Sequence, residues 1–153
     1  MNGKKMTDNA VATQSAAGQG IAEITQGADF YTSLELSTRD DKLNFLRKIN
    51  NSEPLVEQVG NEIKVVDVVI QGVRIPNEAT GMVEDTLRTT LIDEDGNAFH
   101  ATSKGIAQIL RQTFNTLGTP DLWIDSKGNR QPLEVKPVEK RGRNGYRFLT
   151  LEV

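Results

Sequence analysis

The residues best suited to chemistry lie near the end of the chain. From Lys127 to Arg147, seven basic residues (Lys127, Arg130, Lys136, Lys140, Arg141, Arg143 and Arg147) stand against two acidic ones, Glu134 and Glu139. Residues 1 to 126 carry the opposite imbalance, and the 153-residue chain has a net charge of −3. A basic segment on an acidic body is a local site for an anion, not a general polycation. Tyr146 and Phe148 are alternate residues of a stretch in which Leu149, Leu151 and Val153 take the other parity. With the leucines turned to a core, both rings face outward. Outward rings beside cations suit a ligand that is aromatic and anionic along its length. Single-stranded nucleic acid is such a ligand, its bases stacking on rings and its phosphates running along a positive groove. Phe99 is a third candidate ring. The candidate phosphate contacts are Arg74, Arg88, Lys136, Lys140, Arg141, Arg143 and Arg147.

Catalysis finds little support. The chain has no cysteine, a single histidine, His100, and no GxSxG, Walker A or HExxH pattern. A lone histidine within a strand reads as a polar surface residue. Asp93-Glu94-Asp95-Gly96-Asn97 fails as a calcium loop, with glycine misplaced and Lys104 where the bidentate glutamate belongs, so it reads as a turn. Nothing in the spacing of Asp67, Asp93, Asp95 and Glu134 makes them converge on a metal pair. The expectation is a non-enzyme without cofactor or metal.

These residues must be placed by strands. Thr86 to Ile92 alternates, Asp95-Gly96 supplies a turn, and Ala98 to Thr102 reads as the return strand. Ser103 then caps a helix carrying Ile106, Ile109, Leu110, Phe114 and Leu117 on one face, ended by Gly118 and Pro120. Upstream, Ile63 to Ile75 is a long strand rich in Val and Ile, with Val66, Val68 and Ile70 on one face and a bend or bulge expected at Gly72. Pro76 to Asp85 reads as a loop. Downstream, Leu133 to Lys140 and Tyr146 to Val153 form a hairpin turned at Arg141–Gly145, and Trp123 reads as a lid on the core. Asp29 to Leu36 has strand character. A helix capped by Thr38 follows, with Leu43, Leu46 and Ile49 inward, and packs outside the barrel or on its end. Phe30 and Tyr31 read as packing residues. Met1 to Gly27 is poor in large apolar residues and reads as a disordered or flexible arm.

The predicted fold is therefore mainly β with helices (α+β). Residues 28–153 form a five-stranded OB-fold barrel of order β-β-β-α-β-β with an additional N-terminal strand and helix. Its binding face is expected over the second and third barrel strands. No stretch approaches the roughly 18 apolar residues of a membrane span, so a cytoplasmic protein without membrane contact is expected.

The runs IKVVDVVIQG, TLIDEDGNAFHATSKGI and GRNGYRFLTLEV resemble the small single-stranded-DNA-binding proteins of Gram-positive phages and conjugative mobile elements. The resemblance covers roughly Phe30 to Val153. It implies an OB-fold that coats single-stranded DNA, without sequence specificity, during replication or transfer in a bacterial host cell. The better-known bacterial single-strand-binding proteins recruit partners through an acidic tail, whereas this sequence finishes on a strand. That makes Met1–Gly27 the candidate for recruitment or for self-association along DNA. RNA as the ligand, or a protein-interaction or virion-structural role for the same barrel, are the alternatives.

Overall fold

The computed structural model describes residues 30–153; the arm assigned to Met1–Gly27 lies outside the described residues. In chain order the elements are β1 (Tyr31–Thr32), α1 (Arg39–Asn50), β2 (Glu53–Pro54), β3 (Ile63–Pro76), β4 (Val83–Asp93), β5 (Ala98–Thr102), α2 (Lys104–Leu117), β6 (Leu133–Arg141) and β7 (Arg147–Glu152). Short 3-10 turns occupy Leu55–Gln58 and Pro120–Leu122. The strands form one sheet ordered β2-β5-β4-β3-β6-β7, with β1 laid along β3. It curls strongly into a half-barrel with two helices, as a mainly β, α+β chain.

Local chemistry explains the turns. In the β4–β5 connection Gly96 donates to the Asp93 carbonyl and Asp93 donates to the Asn97 carbonyl, with Gly96 at φ 87°. The Asp93 carboxylate closes the turn by accepting from the amides of Asp95 and Asn97. Asp125–Asn129 repeats the device, with Gly128 at φ 83° and the Asp125 carboxylate on the amides of Lys127 and Asn129. Both glycines occupy a left-handed position that a Cβ would strain. The acidic tip is thus used to build its turn.

The helices begin where the sequence predicts. Thr38 accepts from the Asp41 amide and Asp41 accepts from the Thr38 amide, a reciprocal capping box. Ser103 accepts from the Ile106 amide at the start of α2. Gly118 stops α2 at φ 86°, where a Cβ would collide with Leu122 at 2.8 Å. The inward faces differ slightly from expectation. In α1 the buried residue is Phe45 and Leu46 is exposed; in α2 Ile106, Ala107 and Leu110 are buried while Leu117 lies past the edge of the core. Phe45 takes the inward place in α1, so Leu46, the middle residue of the predicted face, meets solvent, and in α2 the last residue of the face does.

The bend in β3 falls at Val66, not at Gly72. The β3–β4 register shifts between Val65 and Asp67, whereas Gly72 pairs regularly with Leu87. The extra residue reverses parity, so Ile63 and Val65 before it, and Val68 and Ile70 after it, reach the same core. Ser33, just past β1, holds this point: its hydroxyl donates to Asp67 at 2.8 Å and accepts from the Val68 amide at 2.9 Å.

The main core lies between the concave side of the sheet and α2, joining β3, Leu91, Phe99 and Val135 to Ile106 and Leu110. A smaller core on the convex side sets Val69 against Phe45 and Leu36. The expected barrel closure, β5 against β7, is not among the strand pairings. Residues 53–60 take its place. Glu53 and Pro54 pair in parallel with Phe99 and His100, Leu55 is buried in the core, and the Gly60 amide donates to the Pro137 carbonyl of β6. Pro137 lacks an N–H, and the β3–β6 ladder ends two residues before it at Ile63–Val135. The predicted loop at Pro76–Asp85 also shrinks, because β3 and β4 stay paired out to Pro76–Val83. Only residues 77–82 turn.

Ser33→Ala removes both bonds at the bulge and leaves the Val68 amide without its acceptor. It is expected to lower stability by about 1–2 kcal/mol. In urea titration the midpoint should fall with an unchanged slope.

Candidate nucleic-acid interface

The basic cluster falls on the β6–β7 ribbon, whose register sorts its side chains. Direct cross-strand partners are Lys136–Glu152, Val138–Thr150 and Lys140–Phe148 on one face. On the other are Pro137–Leu151, Glu139–Leu149 and Arg141–Arg147. The second face begins in the core, where Leu151 is buried, and runs out of it toward the tip. The turn is closed by Gly145 donating to the Gly142 carbonyl and Gly142 donating to the Tyr146 carbonyl.

Tyr146 and Phe148 are 63 % and 43 % exposed, with ring centroids 6.4 Å apart and planes at 53°. They sit side by side without stacking on each other, and Lys140 stands opposite Phe148. Gly142 makes room for the outer ring: a Cβ there would come within 3.3 Å of the Tyr146 ring. Arg143 is exposed in the turn. Arg147 reaches Glu139 at 3.9 Å on the opposite face, and Lys136 faces Glu152, so each carries a nearby counter-charge.

The other predicted contacts lie elsewhere. Arg74 is on the β3–β4 ribbon, paired with Asp85 at 3.0 Å, both about four-fifths exposed. Such an exposed pair is worth about 1 kcal/mol at most. Arg88 donates to the Ile49 carbonyl at 3.1 Å and to the Ser52 hydroxyl at 3.0 Å, tying β4 to the end of α1. Phe99 is packed in the main core opposite Leu91. The structure therefore gathers Tyr146, Phe148, Lys136, Lys140, Arg141, Arg143 and Arg147 on one ribbon and separates Arg74, Arg88 and Phe99 from it.

The convex face over β4 and β5, the expected binding face, is largely taken by α1. Phe45 covers Val69, Thr90 is fully buried, and Ser52 bonds Nδ1 of His100 at 2.9 Å. His100 is held below its ordinary value of 6.5, by burial first and by the neighbouring Arg88 second, with the Ser52 contact opposing. On the other side of the molecule Trp123 is buried, as predicted, and donates from Nε1 to the Gly118 carbonyl. It continues a chain of rings through Phe114 to Tyr31, at 6.3 and 5.1 Å. Burial, and then the carboxylates of Asp121 and Asp67, raise the Tyr31 hydroxyl far above its usual range, which keeps it neutral. Phe30 packs edge-on to Phe45 at 6.2 Å.

A sheet with a basic ribbon carrying two exposed rings invites comparison with known proteins. Residues 22–153 match the model of the phage single-stranded DNA-binding protein family. The chain belongs to that family. The match takes in every described element, so the half-barrel, both ribbons and the two helices fall within the family's sequence. No curated protein and no solved structure matches the chain. Among the described residues no helix is long and apolar enough to cross a membrane.

The lowered His100 gives a pH test. The unfolded chain takes up a proton near pH 6.5 that the folded state resists, so this group withdraws stability as pH falls from about 7 toward its lowered folded value. Above pH 7 it has no effect. His100→Asn should flatten the drop in urea midpoint between pH 7.5 and 5.5. An equal drop in both proteins would place the acid sensitivity elsewhere.

Proposed function

We propose that the β6–β7 ribbon is the DNA-contacting surface and that the chain coats single-stranded DNA without sequence specificity during phage replication or DNA transfer. The exposed Tyr146–Phe148 pair, with Lys140 beside it, carries this reading. Every base has a π-face, so stacking on these rings is sequence-tolerant. Arg141 and Arg147 on the reverse of the ribbon, Arg143 at its tip and Lys136 at its base surround the rings with cations. A strand crossing the ribbon then meets stacking surface and positive charge together. Arg74 on the second ribbon is a more distant phosphate contact, since its exposed pairing with Asp85 yields readily to an anion. Arg88 and Phe99 act in the fold.

The half-barrel is read as an OB-fold in which residues 53–60 replace the closing strand pair. Family membership supports single-stranded DNA as the ligand. The rings and cations also fit RNA, and oligonucleotides of both kinds belong in the same measurement.

Fluorescence anisotropy with labelled oligonucleotides should show binding to single strands over a site of about 4–16 nucleotides and weak binding to duplex. The logarithm of affinity should fall by about 0.7 per log unit of salt for each phosphate neutralised, and Arg143→Ala should reduce that slope by about one such contact. Tyr146→Ala and Phe148→Ala should each weaken binding by roughly 1–3 kcal/mol. Equal affinity for duplex, or unchanged affinity in both ring variants, would overturn the assignment.

A further inference from the structure

Where β5 and β7 fail to pair, the half-barrel leaves a cleft of about 700 Å³, within the roughly 300–1,000 Å³ range of small-ligand sites. Phe148, Leu149 and Thr150 of β7 line one side; Val56, Thr102 and Lys104 line the other. Phe148 thus belongs both to the ring pair on the ribbon and to this cleft. Val56 is half exposed, an apolar side chain with nothing in the core to bury it.

The ladder shows what β7 offers to the cleft. Gly142 donates to Tyr146, and antiparallel pairs alternate between bonded and unbonded, so Phe148 and Thr150 point their main-chain groups toward β6. Leu149 and Leu151 point theirs away. The partner of Leu151 is Pro137, whose carbonyl is already taken by Gly60, which fits this phase. The Leu149 N–H and C=O therefore face the seam as an adjacent donor and acceptor, the arrangement that a nucleobase edge complements. The apolar walls at Phe148 and Val56 suit the flat faces of a base, and Lys104 supplies a cation at the rim for its phosphate.

We propose that this seam holds one nucleotide of the bound strand, its base between Phe148 and Val56 and against the Leu149 backbone, its phosphate near Lys104. The proposal rests on the ribbon reading above and extends the DNA path from the ribbon into the body of the half-barrel. The seam then fixes the strand at one point, while the ribbon supplies sequence-tolerant stacking.

Hydrogen–deuterium exchange on the unaltered protein with a thymidine oligonucleotide tests it directly. Slowed exchange is expected at residues 54–58 and 102–105 together with 146–150. In parallel, Val56→Trp, which fills the cleft, and Lys104→Gln should each lower affinity, the former by about tenfold, and Val56→Trp should shorten the occluded length by about one nucleotide. Protection confined to the ribbon, with wild-type affinity and site length in both variants, overturns the seam proposal. If Tyr146→Ala still weakens binding in that case, the ribbon reading survives. If Tyr146→Ala is also silent, both fall.

Discussion

The bulge at Val66 is the constraint from which the rest of the architecture follows. Among the described residues β3 is the only strand that joins the two halves of the sheet, pairing with β4 along most of its length and with β6 through Ile63, Lys64 and Val65. A regular strand would send Ile63 and Val65 to the face opposite Val68 and Ile70, and no single core would hold both pairs. One unpaired residue restores them to the same side and increases the local twist, which curls the sheet. Ser33 secures the irregularity from outside by satisfying the Val68 amide and the Asp67 carboxylate. Arg130 approaches the same carboxylate at 3.7 Å from the segment before β6. Three parts of the chain thus converge on one residue out of register.

Curling the sheet sets up the next decision, which is what occupies its open edge. The segment after α1 reaches β5 first, through Glu53 and Pro54, and then β6 through Gly60. Its short parallel pairing covers the edge of β5 and Leu55 fills the core beneath it, while the outer edge of β7 stays open among the described residues. The same segment brings α1 over the convex face, where Arg88, Ser52 and His100 fasten it. An arginine engaged by a carbonyl and a hydroxyl is poorly placed to release them to a phosphate, since the partners would be left partly buried without a donor. We propose recognition instead at the outer end of the free ribbon, where side chains beyond Leu149 and Leu151 have no core to fill. Exposed apolar surface next to like charge is uncommon in a monomer without a partner. The ribbon carrying Tyr146, Phe148 and Lys140 has that character, and the family to which the chain belongs supplies a ligand that matches it.

Much of this was fixed by local sequence. The caps at Thr38 and Ser103, the Asp-x-x-Gly-Asn turns at residues 93–97 and 125–129, the stop at Gly118 and the outward parity of Tyr146 and Phe148 all depend on residues within a few positions of one another. Short-range sterics and hydrogen bonding decide them, so the order β-β-β-α-β-β and the aromatic ribbon were legible from the chain alone. The site of the bulge was not, because Val66 and Gly72 both lie inside one Val- and Ile-rich strand, and only pairing with β4 determines which residue is extra. Nor were the positions of Arg88, engaged by Ile49 and Ser52 at the end of α1, and of Phe99, packed in a core with Leu55 and β3, because those partners are far away in sequence. Alternation assigns a residue to a face of a strand, but it cannot say what covers that face. Tyr146 and Phe148 began as two rings of the right parity beside a run of cations, and their exposure is a tertiary fact: the ribbon extends past the core, and no described element lies over it.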